Sequence, residues 1–340
     1  MMNNSPKDSF LVTCVGAYND SGQGTGGFVC VYKGEAYIID KMDCTGLFYY
    51  DGLIFRYVRS LQNIIIYDNQ GIRATLKPKN VNDVHDILFS NDEYVLVSTG
   101  NNSIYWHDRF GNVNNIWKAT GDGDAWHLNC LFKTNGKLFA SAFGEYYSHR
   151  EWAENINKNG FIMDLHTKEK VMDNLSGPHS PRFIIDKWVV CESHIHSLSI
   201  QNSSNEVKKI KLNGFTRGLA YDSQYYYVGE SINRKEKSHL NLSHIAIIDI
   251  STLKVVHRIR IPFPEIYEII SIPESVAKDI LLNTDKFIFD IESKRLEALE
   301  KQVEISRQQI EYWKKKIINN KFLYSISLLK KNIKMLQKRI

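Results

Sequence analysis

The chain has 340 residues, 43% of them hydrophobic and 24% charged, enough for one large domain or two small ones. Its net charge of +5 is uneven: residues 294–340 carry 13 Lys+Arg against 4 Asp+Glu, net +9, leaving about −4 on the remainder. No run of 18 apolar residues and no basic-then-apolar leader in MMNNSPKDSFLV is found, so neither a spanning helix nor a signal peptide is expected; five cysteines without a CxxC pair point to free thiols in a reducing cytoplasm.

Aromatics reach 12%, and Ala/Leu-rich runs are scarce before about residue 290, which favours β-structure. A first strand is expected near Phe10–Tyr18, closing the last unit of a ring. Gly24–Gly27 (GTGG) reads as a turn, since no helix follows to make it a phosphate loop. A strand over Phe28–Asp40 then leads into the first unit, or belongs to a unit of its own.

Six segments repeat one pattern: a polar loop, a marked residue, an apolar strand, a turn and a second strand. They are CTGLFYYDGLIFRYV (Thr45), DVHDILFSNDEYVLVST (His85), WHLNCLFKTNGKLFASA (His127), PHSPRFIIDKWVVCES (His179), FTRGLAYDSQYYYVGES (Arg217) and IYEIISIPESVAKDILL (Tyr267 or Glu268). The marks lie about 40, 42, 52, 38 and 50 residues apart. Turn residues such as Asp51-Gly52, Asn91-Asp92, Asn135-Gly136 and Asp186-Lys187 separate the paired strands. Third and fourth strands follow, as in SIYWHDRFGNVNNIWKA and GFIMDLHTKEKVMD. Four strands per unit of about 45 residues is a β-propeller blade. The fold class is therefore all-β, a six-bladed propeller with seven blades as the alternative, over residues 1–290.

A helical tail is expected over 291–340. Leu296, Leu299, Val303, Ser306, Ile310, Trp313 and Ile317 fall at alternating spacings of three and four, the coiled-coil repeat. The register breaks at Asn319-Asn320, where a helical hairpin is favoured over one long helix. The basic tail is expected to make homo-oligomers through a coiled coil. Attachment to an anionic membrane surface is its other reading, and no recognition motif supports nucleic acid.

Propeller geometry brings residues that begin the innermost strands to one channel mouth. His85, His127 and His179 share that phase, and three imidazoles with an open position suit a transition metal, zinc first and iron or manganese as alternatives. Glu265 or Glu268 would add a carboxylate. Arg217 would clamp an anion, and Arg182 would be a second clamp or pair with Asp186. Asp124 and Asp86 would orient imidazoles or act as base. Trp126 would wall the pocket, Asn129 bond substrate and Tyr267 donate a proton. For each the bland alternative stands beside it: packing for Trp126 and Tyr267, an internal ion pair for Arg217, a metal-free polar channel for the histidines. His194 and His196 read as one alternating strand face.

WHLN, PHSPR, GFTRGL with VGES, and EIYEI together resemble an uncharacterised bacterial β-propeller family, a domain of unknown function, over about Val81–Pro273. The resemblance implies a propeller that keeps company with glycan or sulfo-group biosynthesis proteins, and carries no reaction. More distantly, the layout is similar to the amidating-lyase propeller for peptidyl-hydroxyglycine, which holds zinc on three channel histidines beside an arginine and a tyrosine. Here those would be His85, His127 and His179, with Arg217 and Tyr267. The expectation is a metal-dependent lyase or hydrolase acting on a small or glycan-linked anion, in surface-glycan biosynthesis. It would be cytoplasmic, or peripheral at the inner face of the membrane. The competing reading is a non-enzymatic scaffold or carbohydrate-binding propeller tethered by its tail.

Overall fold

The computed structural model describes residues 9–16, 26–155, 158–232 and 242–337, with side chains to residue 317. Its described strands form six sheets of four antiparallel strands. Blades 1 to 5 begin on Cys44–Tyr50, Val84–Ser90, Cys130–Thr134, Pro178–Ile184 and Phe215–Tyr221, and each takes its strands in chain order. These innermost strands pack on one another around a full circle, blade 6 against blade 1. Six blades, not seven, close the ring.

Blade 6 joins the two ends of the repeat. Its innermost strand is Glu265–Ser271, and its other three are Ser9–Val15, Gly27–Tyr32 and Glu35–Asp40. Phe28–Asp40 is thus two strands of the closing blade rather than a lead into the first. Of the GTGG run, Gly24 and Thr25 lie outside the described residues, and Gly27 starts a strand.

Local chemistry explains the hairpins. Asp51-Gly52, Asn91-Asp92, Asn135-Gly136 and Ile185-Asp186 all have positive φ, the backbone of a tight turn whose twist matches the flanking strands. In blade 4 the turn centres on Ile185-Asp186, one residue before the expected pair. Apolar side chains then alternate into layers between neighbouring blades, as where Leu219, Tyr226 and Val228 meet Val189 and Leu198. Hydroxyls peg blade to blade near the axis. Thr45 Oγ1 donates to Val84 O (2.5 Å), Thr99 Oγ1 to Leu128 O (2.5 Å) and Ser193 Oγ to Thr216 O (2.6 Å).

SVAKDILL is not a strand. The second position of blade 6 is already filled by Ser9–Val15, and the segment forms helix α1, Glu274–Leu282. Helix α2, Thr284–Gln337, follows directly. It runs unbroken through Asn319 and Asn320, so the expected hairpin is replaced by one helix. Residues 274–290 strap the seam between blade 6 and blade 1. Ala277, Ile280 and Phe287 are buried, and the Phe287 ring stacks on Tyr67 at 5.5 Å. Asn69 Nδ2 donates to Asp279 Oδ2 (2.7 Å), and Ile72 N to Asp290 Oδ2 (3.3 Å). Beneath them Arg56, fully buried, pairs with Asp40 of blade 6 at 2.7 Å. It also donates to Tyr67 Oη (2.5 Å) and lies 4.4 Å from the centre of the Phe28 ring.

The chain divides into two compact units, Met1–Asp290 and Ile291–Ile340. No described helix is long and apolar enough to cross a membrane. All five cysteines are buried free thiols.

Candidate active site at the channel mouth

Besides Glu265–Ser271, four of the six innermost strands carry a β-bulge near their start, with the register shifting at Thr45/Leu47, Val84/Asp86, His179/Arg182 and Arg217/Leu219. Glu265–Ser271 meets a matching shift opposite Thr13/Cys14. A bulge re-aims the side chains around it. Residues at or before it face one end of the channel, and residues after it face the other. Gly46 and Gly218 adopt φ of 56° and 75° at two of these bulges, and a Cβ there would sit 3.0 Å from the backbone nitrogens of Ile87 and Ile269. Glycine is what lets the backbone turn so close to the next blade.

The entry end holds a cavity of about 430 Å³. His85, His127, Asp124, Arg217, Glu265 and Tyr267 all line it, with Thr45. The His85 and His127 rings meet edge-on at 5.1 Å, and Tyr267 stands edge-on to His85 at 5.9 Å. Arg217 Nη1 binds Glu265 Oε1 at 2.8 Å and its guanidinium lies 5.3 Å from the Tyr267 ring centre.

The hydrogen bonds fix the tautomers. His127 Nδ1 lies 3.0 Å from Asp124 Oδ1, an acceptor, so Nδ1 carries the proton and Nε2 is a bare lone pair. His85 Nε2 faces Asp83 Oδ2 at 3.3 Å, which leaves Nδ1 bare; that atom is buried with no partner among the described residues. His179 Nδ1 lies 3.1 Å from Gly177 O and 2.8 Å from Ser193 Oγ, whose own proton goes to Thr216 O. Its Nε2 is therefore bare too, and likewise buried and unpartnered. The Tyr267 hydroxyl is a third buried atom without a partner among the described residues. Burial, reinforced by the Arg217 charge, pushes His127 well below the usual histidine range; burial and Arg217 do the same to His179. Both are neutral bases. Burial pushes Asp124 up to about 6 and the Tyr267 phenol well above its ordinary value. For Asp83 burial opposes ionisation, but the hydrogen bond from His85 and the Arg59 charge outweigh it and hold the carboxyl low.

The expected three-histidine metal centre is not assembled. His179 does not line the cavity, because the Phe143 ring lies against both His127 (4.3 Å) and His179 (5.3 Å). Glu265 is engaged by Arg217. Among the described residues no group of three or more His, Cys, Asp or Glu side chains is spaced to hold a metal ion.

Other expectations are corrected by position. Arg182 and Glu268 lie past their bulges and line a separate cavity of about 870 Å³ with Asp86. Glu268 is spent on structure there: it accepts from Arg182 (3.2 Å), Ser180 Oγ (3.1 Å), Leu219 N (3.2 Å) and Ile269 N (2.9 Å). Asp86 accepts from Ile87 N and Leu131 N, tying blade 2 to blade 3. Trp126 does not line the mouth cavity; it packs against Trp117 and Phe161 between blades. Asn129 is fully buried and accepts from Ser141 Oγ at 2.5 Å, holding blade 3 together rather than meeting substrate. GDGDAWHLN precedes the innermost strand, which begins at Cys130. His194 and His196 are not on a strand: a short 3₁₀ turn, Ser193–Ile195, carries His194 to the mouth.

The chain also brings in residues that the repeat does not mark. The segment 143–155 supplies Phe143, Arg150 and Trp152 to the cavity. It clamps the His127 segment through Arg150 N and Trp152 Nε1, both donating to Asp124 O (2.9 and 3.1 Å). The 52-residue interval between His127 and His179 was its visible trace.

In overall form the propeller is similar to a protein of unknown function from Bacteroides caccae, with 14% identity and a TM-score of 0.55 over 78% of this chain and 99% of that one. A chain in a nidogen/laminin complex is as similar, at 11% identity and a TM-score of 0.55, covering 77% of this chain and 97% of that one. Regucalcin, a calcium-binding protein from Agrobacterium tumefaciens, matches at 11% identity and a TM-score of 0.51 over 68% of this chain and 79% of that one. At these identities the likeness establishes the fold alone. No curated protein matches the sequence. The family model of a domain of unknown function, DUF4915, matches residues 72–281, well over half of the chain, and the protein belongs to that family.

Proposed function

We propose that the channel mouth is the active site of a lyase or hydrolase for a small or glycan-linked anion. One observation carries the reading: three bare imidazole nitrogens and one phenol, three of these four atoms buried without a partner among the described residues, gather at or just behind one cavity. Buried polar atoms are nearly always paired, so such a concentration marks where a ligand completes the bonding.

The roles follow from the chemistry. Arg217 lies beside the bases and supplies the positive charge for the substrate anion, sharing its guanidinium with Glu265. His127 Nε2 takes the proton. Asp124 holds the imidazole in that tautomer and stabilises the imidazolium that forms. Tyr267, kept protonated by burial, donates to the leaving oxygen or the developing oxyanion. His85 presents a second bare nitrogen, for substrate or water. A divalent metal, zinc first, shared by His85 Nδ1 and His127 Nε2 is the finer form of the reading. A third donor would have to come from substrate, water or a shifted Phe143 that admits His179. The free cysteines support a reducing, cytoplasmic setting.

The test is a panel of anionic glycans and uronates incubated with the purified chain. Lyase action appears as new conjugated double bonds in the ultraviolet, hydrolase action as new reducing ends. His127→Ala, Arg217→Gln and Tyr267→Phe should each lower kcat/KM by 10²-fold or more, with Arg217→Gln acting mainly on KM. Elemental analysis well below one metal per chain, unchanged in His127→Ala, removes the metal from the proposal. Binding without turnover would instead favour a carbohydrate-binding propeller. The observation behind that second reading is the larger cavity at the other end, ringed by Phe48, Tyr50, Phe89, Phe132 and Tyr221.

A further inference from the structure

Helix α2 leaves a row of large apolar side chains in solvent. Leu296, Leu299, Val303, Ile310, Trp313 and Ile317 are each between 49% and 59% exposed. They are not scattered. With Ser306 they fill consecutive first (a) and fourth (d) positions of three heptads, about 32 Å of helix at 1.5 Å per residue. A single row of this kind needs an apolar partner of equal length and pitch.

We propose that Leu296–Ile317 pairs with the same segment of a second copy as a parallel, in-register, two-stranded coiled coil. Three observations select that occupant. The spacing of three and four is the one that keeps a seam facing a partner helix, whereas a lipid surface imposes no such strict register. The a positions from the second heptad on are Val303, Ile310 and Ile317, and β-branched residues at a are the choice that favours two strands; the d positions are Leu299, Ser306 and Trp313. The flanking charges favour parallel pairing. Arg295 stands opposite Glu300 of the second copy, while Gln302 and Gln309 face Arg307 and Lys314, so no like charges meet between Leu296 and Ile317. Antiparallel pairing of the same seam sets Arg295 against Lys316. Arg295 is half-exposed and, among the described residues, pairs with Glu292 at 3.3 Å on its own helix. Such a pair costs little to exchange. The inference does not rest on the reading of the channel mouth.

Light scattering of the full-length chain after size-exclusion chromatography should give twice the 39.4 kDa chain mass. Val303→Lys with Ile310→Lys should give 39.4 kDa with an unchanged propeller melting temperature, because both side chains are exposed in the protomer. Ser306→Cys should cross-link within the dimer under the thiol oxidant diamide, since d positions face each other only in the parallel, in-register pair. The native thiols are buried and stay reduced. A monomer at ~100 µM, or a double-lysine variant that stays dimeric, overturns the proposal. So does a dimer in which Ser306→Cys fails to cross-link. A monomeric chain that co-sediments with phosphatidylserine vesicles, and loses this with the double-lysine change, assigns the row to membrane and also overturns it.

Discussion

His127 sits at φ 50°, a backbone that non-glycine residues seldom adopt. The surrounding bonds hold it there, Phe143 N donating to Trp126 O and Asn129 N to Ser141 O. Strain kept at a residue whose ring lines the cavity fits a functional position. Two other buried residues make sharper predictions. Removing Arg56 leaves Asp40 buried without its cation, so Arg56→Ala should cost about 3–5 kcal/mol by chemical denaturation. Arg56→Met with Asp40→Asn should recover much of that. A single substitution costing under ~1 kcal/mol would deny the seam this role. Asp86 predicts a pH effect. Burial, reinforced by Glu268, pushes its carboxyl up to about 8, against about 4 in the unfolded chain. Between those values the folded protein keeps a proton that the unfolded chain has lost. Stability from this group therefore falls as pH rises through that window and levels off above it. Asp86→Asn removes the dependence, so its melting temperature relative to the parent should climb across the window. A difference that stays constant with pH would contradict the assignment.

At the scale of elements, the bulge does the positioning. It lets one strand serve two cavities, so Glu265 and Tyr267 face the mouth while Glu268, one residue on, joins Arg182 beyond it. Helix α1 and the start of α2 act as a second closure on the seam where the chain's ends meet. Burying Ala277, Ile280 and Phe287 stabilises that seam by on the order of 5 kcal/mol. Truncation after Pro273 should therefore lower the melting temperature by on the order of 10–20 °C, and truncation after Ile291, the last buried residue of this stretch, should hardly change it. Equal melting temperatures for the two truncations would show that the strap contributes nothing.

For the whole molecule, closure depends on sequence-distant strands. Without residues 1–40, Glu265–Ser271 loses Ser9–Val15, its only sheet partner among the described residues, and blade 6 loses three of its four described strands. That deletion should yield insoluble protein, and co-expressing residues 1–42 with 43–340 should restore a soluble complex. Soluble, cooperatively melting 43–340 alone would show that closure is dispensable.

What the sequence determined by itself is what repeats. Equal phase in successive units forces equal position in the ring, so Thr45, His85, His127, Arg217 and Tyr267 were legible as neighbours although up to 222 residues apart. Paired turn residues and strand alternation are local, which is why six blades could be counted, and the tail's heptads are local too. What only the tertiary structure decided is what depends on competition for space. SVAKDILL has apolar residues that suit either period, and it became a helix because another segment already held its place in the sheet. Phe143 arrives just past the strand Lys137–Ala142, at a position the repeat does not mark, and sets His179 apart from His85 and His127. Glu268 and Arg182 were separated from Tyr267 and His179 by bulges, which leave no mark in residue type except where glycine must supply the positive φ, as at Gly46 and Gly218. Sequence phase carries a residue to the axis. The end of the axis it faces is set by a backbone turn of one residue, and that turn is stable only with the neighbouring blade in place.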